Sequence, residues 1–234
     1  MTKFISIVSG KGGTGKTTVA INLALALNEF GHNVILIDSD LKSADIGLLL
    51  GISPQLETLH DVLDGKKNIR EVVYHHPSGL NFIPASISVQ TVKSNNNISS
   101  IIENLEGSAE MVIMDAPAGF HKEVFSLVDS SDEVIIVTNP ELPAVTDAIR
   151  AIALVEDSGK KVKGVVINRY QSDEIEMSIE NIQAMLGREI LGVIPEDIFV
   201  KKSVKLKYPV SYAYPLAPSS VSFKKLAAKI LGKV

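Results

Sequence analysis

Short runs of apolar, mostly β-branched residues recur along the chain and alternate with longer segments whose apolar positions follow a helical period. This alternation is typical of βαβ units built around a parallel sheet. Seven runs are predicted to be strands, namely 4–8, 34–37, 80–83, 111–114, 134–137, 162–167 and 190–194. The pattern therefore predicts a three-layer, doubly wound α/β fold, with a mostly parallel sheet of about seven or eight strands and helices on both faces.

The helical segments are bounded by residues that commonly end helices. The predicted helices span 16–30, 98–105, 144–158, 175–186 and 221–231. Gly31 and Gly159 follow two of them as C-terminal stops. The last helix carries one apolar face, and we expect that face to pack on the sheet as the closing element of the fold. The Asn- and Ser-rich stretch 94–100 is predicted to be a loop running into a helix cap, and 208–218 to be an irregular packed loop.

Composition narrows the class of protein. The chain has 234 residues, 45% of them hydrophobic and 21% charged, which fits a single domain spanning 1–234 and excludes general disorder. The absence of cysteine removes disulfides, thiolate metal sites and iron–sulfur ligation. No apolar run approaches the roughly 20 residues of a membrane-spanning helix, and the chain enters a strand without a signal peptide. We therefore expect a cytoplasmic protein.

Charge is unevenly distributed along the chain. Residues 201–234 contain eight lysines and no acidic residue, which leaves a formal charge of −12 for residues 1–200. Such a segment offers an electrostatic patch for anionic lipid or for DNA. We expect any membrane contact to be weak, salt-sensitive and peripheral, on the inner face of the cell membrane.

A glycine-rich loop between the first strand and the first helix matches the phosphate-binding pattern GxxxxGK[ST]. Its residues are Gly10, Lys11, Gly12, Gly13, Thr14, Gly15, Lys16 and Thr17, followed by Thr18. Glycines allow successive backbone N–H groups to point at phosphate oxygens, and the helix N-terminus adds partial positive charge. Lys16 is predicted to bridge the outer phosphates of a nucleotide, and the Thr17 hydroxyl to bind Mg²⁺.

Polar residues also follow the other predicted strands, where ligands bind in open α/β sheets. They are Asp38, Asp40, Asp115, Asn139, Asn168 and the turn formed by Pro195, Glu196 and Asp197. Any one of them alone is compatible with a helix cap or a turn. Their convergence on one edge of the sheet favours a shared binding site.

The phosphate loop, SGKGGTGKTT over residues 9–18, resembles the deviant Walker A loop of the MinD and ParA family of P-loop ATPases. The resemblance extends to 36–40, similar to the family's first switch, and to 113–119, similar to its Walker B strand and second switch. It implies ATP as the nucleotide, Mg²⁺ as the metal and an ATP-bound homodimer. It also implies that Lys11 crosses the dimer interface to the partner's nucleotide, as a charge supplied in trans.

The resemblance implies roles for the remaining polar residues as well. Asp38 and Asp115 would join Thr17 in organising Mg²⁺ and its waters, and Asp40 would orient or deprotonate the attacking water. The catalytic group would then be Lys11, Lys16 and Asp40. Asn168 and Arg169 resemble the segment that reads adenine, and Pro195, Glu196 and Asp197 resemble the loop covering the base.

Within the family, the segments DAPAG (115–119), NPE (139–141) and VIPED (193–197) resemble MinD most. The chain looks like an archaeal-type member without the extra C-terminal amphipathic tail. Asp45 occupies a position at which members of this family often have Asn. The implied function is an ATP-dependent dimerisation switch in spatial organisation, such as placement of the division site, with slow hydrolysis stimulated by an activator or cargo protein. A ParA-like DNA-dependent ATPase ranks second, and a metabolic enzyme that uses ATP to activate a small substrate ranks third.

Overall fold

One sheet organises the chain in the computed structural model, which describes residues 1–53, 55–87 and 98–233. Its strands are β1 (Lys3–Val8), β2 (Val34–Asp38), β3 (Tyr74–His75), β4 (Asn81–Ile83), β5 (Met111–Asp115), β6 (Glu133–Thr138), β7 (Val162–Tyr170) and β8 (Ile190–Pro195). Their order is β3-β4-β2-β5-β1-β6-β7-β8. All neighbours are parallel except β3 and β4, which run antiparallel. The predicted mostly parallel sheet is confirmed, and β3 is the strand that hydrophobic patterning missed.

Helices connect and cover the strands. They are α1 (Lys16–Glu29), α2 (Ile46–Leu49), α3 (Leu59–Leu63), α4 (Ile98–Ile102), α5 (Lys122–Asp129), α6 (Leu142–Asp157), α7 (Ile179–Leu186), α8 (Ile198–Leu206), α9 (Val210–Ala213) and α10 (Pro218–Ile230). Short 3-10 helices occupy Ile69–Val72 and Glu103–Leu105, so the helix predicted over 98–105 is divided into α4 and a 3-10 turn. Residues 94–97 of the predicted Asn- and Ser-rich loop lie outside the described residues.

Two helix boundaries differ from the prediction for local reasons. The helix expected from residue 175 begins only at Ile179, because the Ser178 side chain caps it by accepting a hydrogen bond from the Asn181 N–H. The helix expected from residue 144 begins two residues earlier, with proline in its first turn. The predicted irregular loop over 208–218 contains the short helix α9.

The core lies on both faces of the sheet. Along β1, Ile5 and Ile7 pack into one hydrophobic cluster with α1 and α10, while Phe4 and Val8 pack into another with α5, α6 and α7. Successive side chains of a strand point to opposite faces, so a strand that is apolar throughout must be buried on both sides. The three-layer arrangement predicted from the sequence is therefore confirmed.

The C-terminal helix closes the sheet. Phe223, Leu226 and Ala227 of α10 are fully buried, and Leu226 packs against Gly192 of β8. The apolar face of α10 is thus used by the core, as expected. Among the residues that the structure describes, no helix combines the length and the hydrophobicity needed to cross a membrane.

The sheet order places the carboxyl ends of β1, β2 and β5 side by side. Asp38, the last residue of β2, lies in register with Asp115, the last residue of β5. Asp115 is also in register with Ile7 of β1, just before the glycine-rich loop. Three polar segments that are far apart in the sequence are therefore neighbours at one edge.

Candidate functional site

The loop between β1 and α1 has the backbone of a phosphate cradle. Gly13 and Gly15 adopt positive φ angles of 80° and 83°, which L side chains rarely tolerate. A side chain at Gly15 would overlap the amide of Asn168. Gly15 precedes α1, and among the described residues no side chain caps the first turn of that helix. The N–H groups of this turn are thus oriented for an anion.

The floor of the site is a buried ion pair. The Lys16 ammonium donates a hydrogen bond to Oδ1 of Asp115 at 2.7 Å, with side-chain exposures of 8% and 2%. Asp38 lies beside them, and its side chain accepts hydrogen bonds from the N–H groups of Asp40 and Ile46 at 3.2 and 3.1 Å. Burial, followed by repulsion from Asp115, raises the pKa of Asp38 well above its usual value.

These residues fit Mg²⁺. A hard cation prefers oxygen ligands, and the Thr17 hydroxyl and the carboxylates of Asp38 and Asp115 supply them at one edge of the sheet. A divalent cation would relieve the repulsion between the two carboxylates. Within the described chain, the buried Thr14 hydroxyl has no hydrogen-bond partner, so the phosphate loop retains an unsatisfied polar group.

Asp40 stands at the mouth of the site. Its Oδ1 accepts hydrogen bonds from the N–H groups of Lys42 and Ser43 at 3.2 and 2.9 Å, which fixes the carboxylate at the start of the loop before α2. Asp40 lines the same cleft as Lys16 and Thr17. A carboxylate in this position can orient or deprotonate a water molecule.

Asn168 and Asn139 hold the phosphate loop from the neighbouring strands. The Asn168 amide donates to the carbonyl oxygen of Thr14 at 2.7 Å, and the Asn139 amide donates to the same carbonyl at 3.4 Å. Asn139 also donates to the Asn168 carbonyl at 2.9 Å. Asn168, whose amide is expected to contact a base, therefore also fixes the phosphate loop by this hydrogen bond.

A smaller cavity of about 60 Å³ adjoins this tie. It is lined by Thr18, Asn168, Arg169, Ile194, Pro195, Glu196, Asp197, Val200, Lys201 and Phe223. The Asp197 carboxylate accepts from the N–H and hydroxyl of Ser219 at 3.0 and 2.7 Å, which fixes the turn after β8. The structure thus brings all the predicted base-site residues together beside the phosphate loop.

Lys11 lies apart from the other predicted residues. Its ammonium is 3.2 Å from Oε2 of Glu141, and both side chains are accessible, with exposures of 32% and 64%. Among the described residues, the cleft lining includes Gly12 to Thr18 but not Gly10 or Lys11. Gly10 instead packs against Asp147 of α6, where a side chain would overlap the backbone.

The main cleft has a volume of about 560 Å³, within the range of small-molecule sites. The lining also includes Pro117 and Ala118 of the segment that resembles the second switch, and Asp45. Sequence reasoning assigned no role to four further lining residues, namely Lys42, Ser43, Leu49 and His121. Most lie within a few residues of Asp40 or Asp115, and this proximity was the signal that could have found them. Burial, together with repulsion from Asp115 and Asp40, raises the pKa of Asp45.

Fold and site together define a P-loop nucleotide-binding protein: a parallel sheet, a glycine-rich loop entering a helix, a buried lysine and two strand-end carboxylates. A family model described as the CobQ/CobB/MinD/ParA nucleotide binding domain matches residues 5–210. The chain therefore belongs to this family, the MinD/ParA type of ATPases.

Individual relatives agree with this assignment. An uncharacterized ATP-binding protein of Methanocaldococcus jannaschii is 35% identical over 230 residues, which cover 97% of this chain and 87% of the relative. The septum site-determining protein MinD of Thermotoga maritima is 35% identical over 246 residues, covering 100% and 89%. The structure of MinD from Pyrococcus horikoshii, complexed with Mg-ADP, matches with a TM-score of 0.93 and 34% identity, covering 98% and 96%.

Proposed function

We propose that this chain is a MinD-like ATPase that hydrolyses ATP to ADP and phosphate and acts as an ATP-dependent dimerisation switch in spatial organisation, such as division-site placement. The observation that carries the proposal is the separation of the two loop lysines. Lys16 is fixed in the floor of its own cleft, whereas Lys11 stands outside the lining on an accessible rim. The similarity to named MinD proteins supports the same conclusion.

In this proposal the chain binds the nucleotide mainly through its backbone. The N–H groups of residues 10–18 hold the phosphates, Lys16 contacts the outer phosphates from the floor of the cleft, and Asn168, Arg169 and the turn 195–197 contact adenine. Thr17, Asp38 and Asp115 would hold Mg²⁺, which supplies charge neutralisation at the phosphates when bound. Asp40 orients or deprotonates the water that attacks the terminal phosphorus.

Dimerisation would complete the site. Among the described residues, Lys11 pairs with one exposed glutamate, and such a pair contributes about 0–1 kcal/mol, so it should exchange readily for a phosphate. Two exposed apolar side chains belong to segments that adjoin this rim: Leu142, next to Glu141, is 57% exposed, and Phe120, next to Gly119, whose N–H donates to the Ser9 carbonyl, is 38% exposed. A second copy would cover them and bring its own Lys11 to the nucleotide. Hydrolysis by the isolated chain is then slow, and an activator or cargo protein stimulates it.

The decisive experiment measures molar mass by light scattering during size exclusion, without nucleotide and with ADP or ATP plus Mg²⁺. All proteins in this experiment carry Asp40→Ala, because this variant should bind ATP without hydrolysing it during the run. We expect a dimer only with ATP, and a monomer after Lys11→Ala. Lys225→Ala, which removes an exposed lysine from α10, is the matched control and should still dimerise. If the molar mass does not depend on ATP, or if Lys11→Ala still forms the dimer with ATP, the proposed switch is wrong.

We also propose that residues 1–234 act as one P-loop ATPase domain, since a single sheet spans the chain and α10 packs on it. The alternative of a metabolic enzyme predicts a protein that stays monomeric with ATP and Mg²⁺ and is stimulated by a small metabolite. The sizing experiment therefore separates these two functions.

A weak peripheral contact with anionic membrane is proposed for α8, which carries Lys201, Lys202 and Lys205 on an exposed surface. The eight C-terminal lysines do not act together. Lys207 donates to the Leu48 carbonyl, and Lys201, Lys224 and Lys229 pair with Glu196, Glu29 and Glu189. On α8, Lys202 and Lys205 therefore remain for this contact. The remaining patch is smaller than the sequence predicted. Flotation with anionic liposomes at low salt, with and without ATP, tests it; binding to duplex DNA with ATPase stimulation instead would favour the ParA-like function.

A further inference from the structure

His121 lies in the cleft, although neither the loop motif nor the strand-end carboxylates include it. It follows the DAPAG segment and immediately precedes α5. His121 lines the cleft together with Lys16, Thr17 and Asp40. In the described part of the cleft lining it is the sole imidazole, a group that donates or accepts hydrogen bonds at neutral pH.

Backbone hydrogen bonds tie the segment around His121 to the phosphate loop and to α5. The Gly119 N–H donates to the Ser9 carbonyl at 3.1 Å and ties this segment to the start of the phosphate loop. The His121 carbonyl accepts from the N–H of Val124, a fully buried residue of α5, at 3.0 Å. The ring packs near Gly119, where a Cβ atom would be 3.5 Å from Nε2.

A helix-capping role does not explain this side chain. His121 occupies the N-cap position of α5 with an extended backbone, but within the described residues its side chain makes no capping hydrogen bond. The nearby charged pair is already satisfied, because Glu123 accepts from Lys42 at 2.9 Å. His121 thus lines the cleft without a capping hydrogen bond, and the charged pair next to it is already formed.

We propose that His121 is a further catalytic residue, whose imidazole N–H donates a hydrogen bond to an oxygen of the terminal phosphoryl group of ATP. This inference rests on the proposed function. In the reaction the water oxygen forms a bond to the terminal phosphorus, while the bond from that phosphorus to the bridging oxygen breaks and its electron pair leaves with ADP. The water proton passes to Asp40 and then to solvent. His121 stabilises the phosphoryl oxygens during transfer, when negative charge is spread over them.

The test compares His121→Ala, His121→Gln and the neighbouring control Lys122→Ala, another exposed residue at the start of α5. Four quantities are measured for each purified variant: kcat for ATP, KM for ATP, the affinity for ADP alone, and the affinity for ADP with aluminium fluoride, which imitates the phosphoryl group in transfer. Loss of one hydrogen-bond donor to a transition state lowers kcat by about 10²–10³-fold. We expect such a loss in His121→Ala, with KM and ADP affinity changed less than about twofold.

The affinity for ADP with aluminium fluoride should fall in parallel with kcat, because both report the transition state. His121→Gln retains an N–H donor and should recover part of both losses, whereas Lys122→Ala should match the wild type. Wild-type kcat in His121→Ala would overturn the inference, as would an equal loss of affinity for ADP alone. If the wild type hydrolyses no ATP under any condition, the proposed function fails as well; if only His121→Ala behaves as wild type, the proposed function stands.

Discussion

Two lysines of the phosphate loop, five positions apart, have opposite surroundings. Lys16 is 8% exposed and meets a carboxylate that is 2% exposed, at 2.7 Å. Lys11 is 32% exposed and meets Glu141, which is 64% exposed, at 3.2 Å. The chemical partners are the same in kind, a lysine and a carboxylate. The two pairs differ in their exposure to water, and this exposure determines how easily another anion can replace the carboxylate of each pair.

The difference divides the site into a fixed floor and an exchangeable rim. Removing one partner from a buried ion pair costs about 3–5 kcal/mol, because the other charge stays buried without compensation. An exposed pair contributes about 0–1 kcal/mol. The floor, made of Lys16, Asp115 and Asp38, is therefore built into the folded chain. The rim at Lys11 is available to any stronger anion, including a phosphate of a second copy.

Lys16→Ala should have the largest effect, because it breaks the floor. It leaves Asp115 and Asp38 buried without their cation, so we expect a loss of about 3–5 kcal/mol in the free energy of unfolding and no measurable ATP binding. Urea unfolding and calorimetric titration measure the two effects. Lys11→Ala is the matched comparison and should change stability by less than about 0.5 kcal/mol. Equal losses in both variants would contradict the division.

Asp40→Ala should separate chemistry from binding. Among the described hydrogen bonds, the Asp40 carboxylate accepts only from backbone N–H groups of its own loop, and alanine keeps the N–H that donates to Asp38, so the floor should remain intact. Loss of a general base lowers the rate of hydrolysis by about 10²–10⁴-fold, whereas ATP binding and ATP-dependent dimerisation should persist. Phosphate release and equilibrium binding of a fluorescent ATP analogue are the two measurements. Hydrolysis at the wild-type rate would show that the role of Asp40 is wrong.

The pH dependence of stability should reveal the buried carboxylates of the floor. Burial and Asp115 raise the pKa of Asp38, so the folded state holds its proton more tightly than the unfolded state. The stability contributed by protonated Asp38 is complete below the unfolded pKa and is lost as pH rises through the higher folded pKa. Urea unfolding without nucleotide or Mg²⁺ should show this loss, and Asp38→Asn should reduce it. An unchanged profile in Asp38→Asn would assign the loss to another group.

Glu141→Gln should have the smallest effect and acts on the rim alone. It removes the intramolecular competitor of Lys11, so ATP-dependent dimerisation should become tighter by at most about 1 kcal/mol, with no change in the stability of the monomer. Sedimentation at several protein concentrations measures the dimer dissociation constant. Glu174→Gln, another exposed glutamate, is the control. Weaker dimerisation in Glu141→Gln would mean that this carboxylate itself contacts the second copy.

The sheet was predictable because a strand covered on both faces must be apolar at every position. The predicted runs at 4–8, 34–37 and 111–114 each differ from β1, β2 and β5 by one residue at one end. The strand β3 could not be predicted, because a strand of two residues is too short to show an alternating pattern of apolar and polar side chains. The helices α5 and α8 were also missed: they are only eight and nine residues long, and each follows a loop that was interpreted only as part of the nucleotide site. The helices α2, α3 and α9, of four or five residues, are too short to show a helical period.

The site was predictable where it is local in sequence and unpredictable where it depends on packing between distant segments. The phosphate loop and the strand-end carboxylates follow from short motifs. The contact of Lys11 with Glu141 joins residues 130 positions apart, and that of Asn168 with Thr14 joins residues 154 positions apart. Such contacts depend on the register of β6 and β7, which hydrophobic pattern does not determine.

The shared hydrogen bonds to the Thr14 carbonyl have a consequence for which ligands can enter. Asn139 follows β6 and Asn168 lies in β7, yet both donate to this one oxygen, and Asn168 also borders the cavity beside the turn 195–197. The phosphate loop and this cavity, which is proposed to hold the base, are thereby tied to one another. A ligand must therefore extend from the phosphate loop to this cavity to make every contact. A triphosphate without a base would contact the phosphate loop alone.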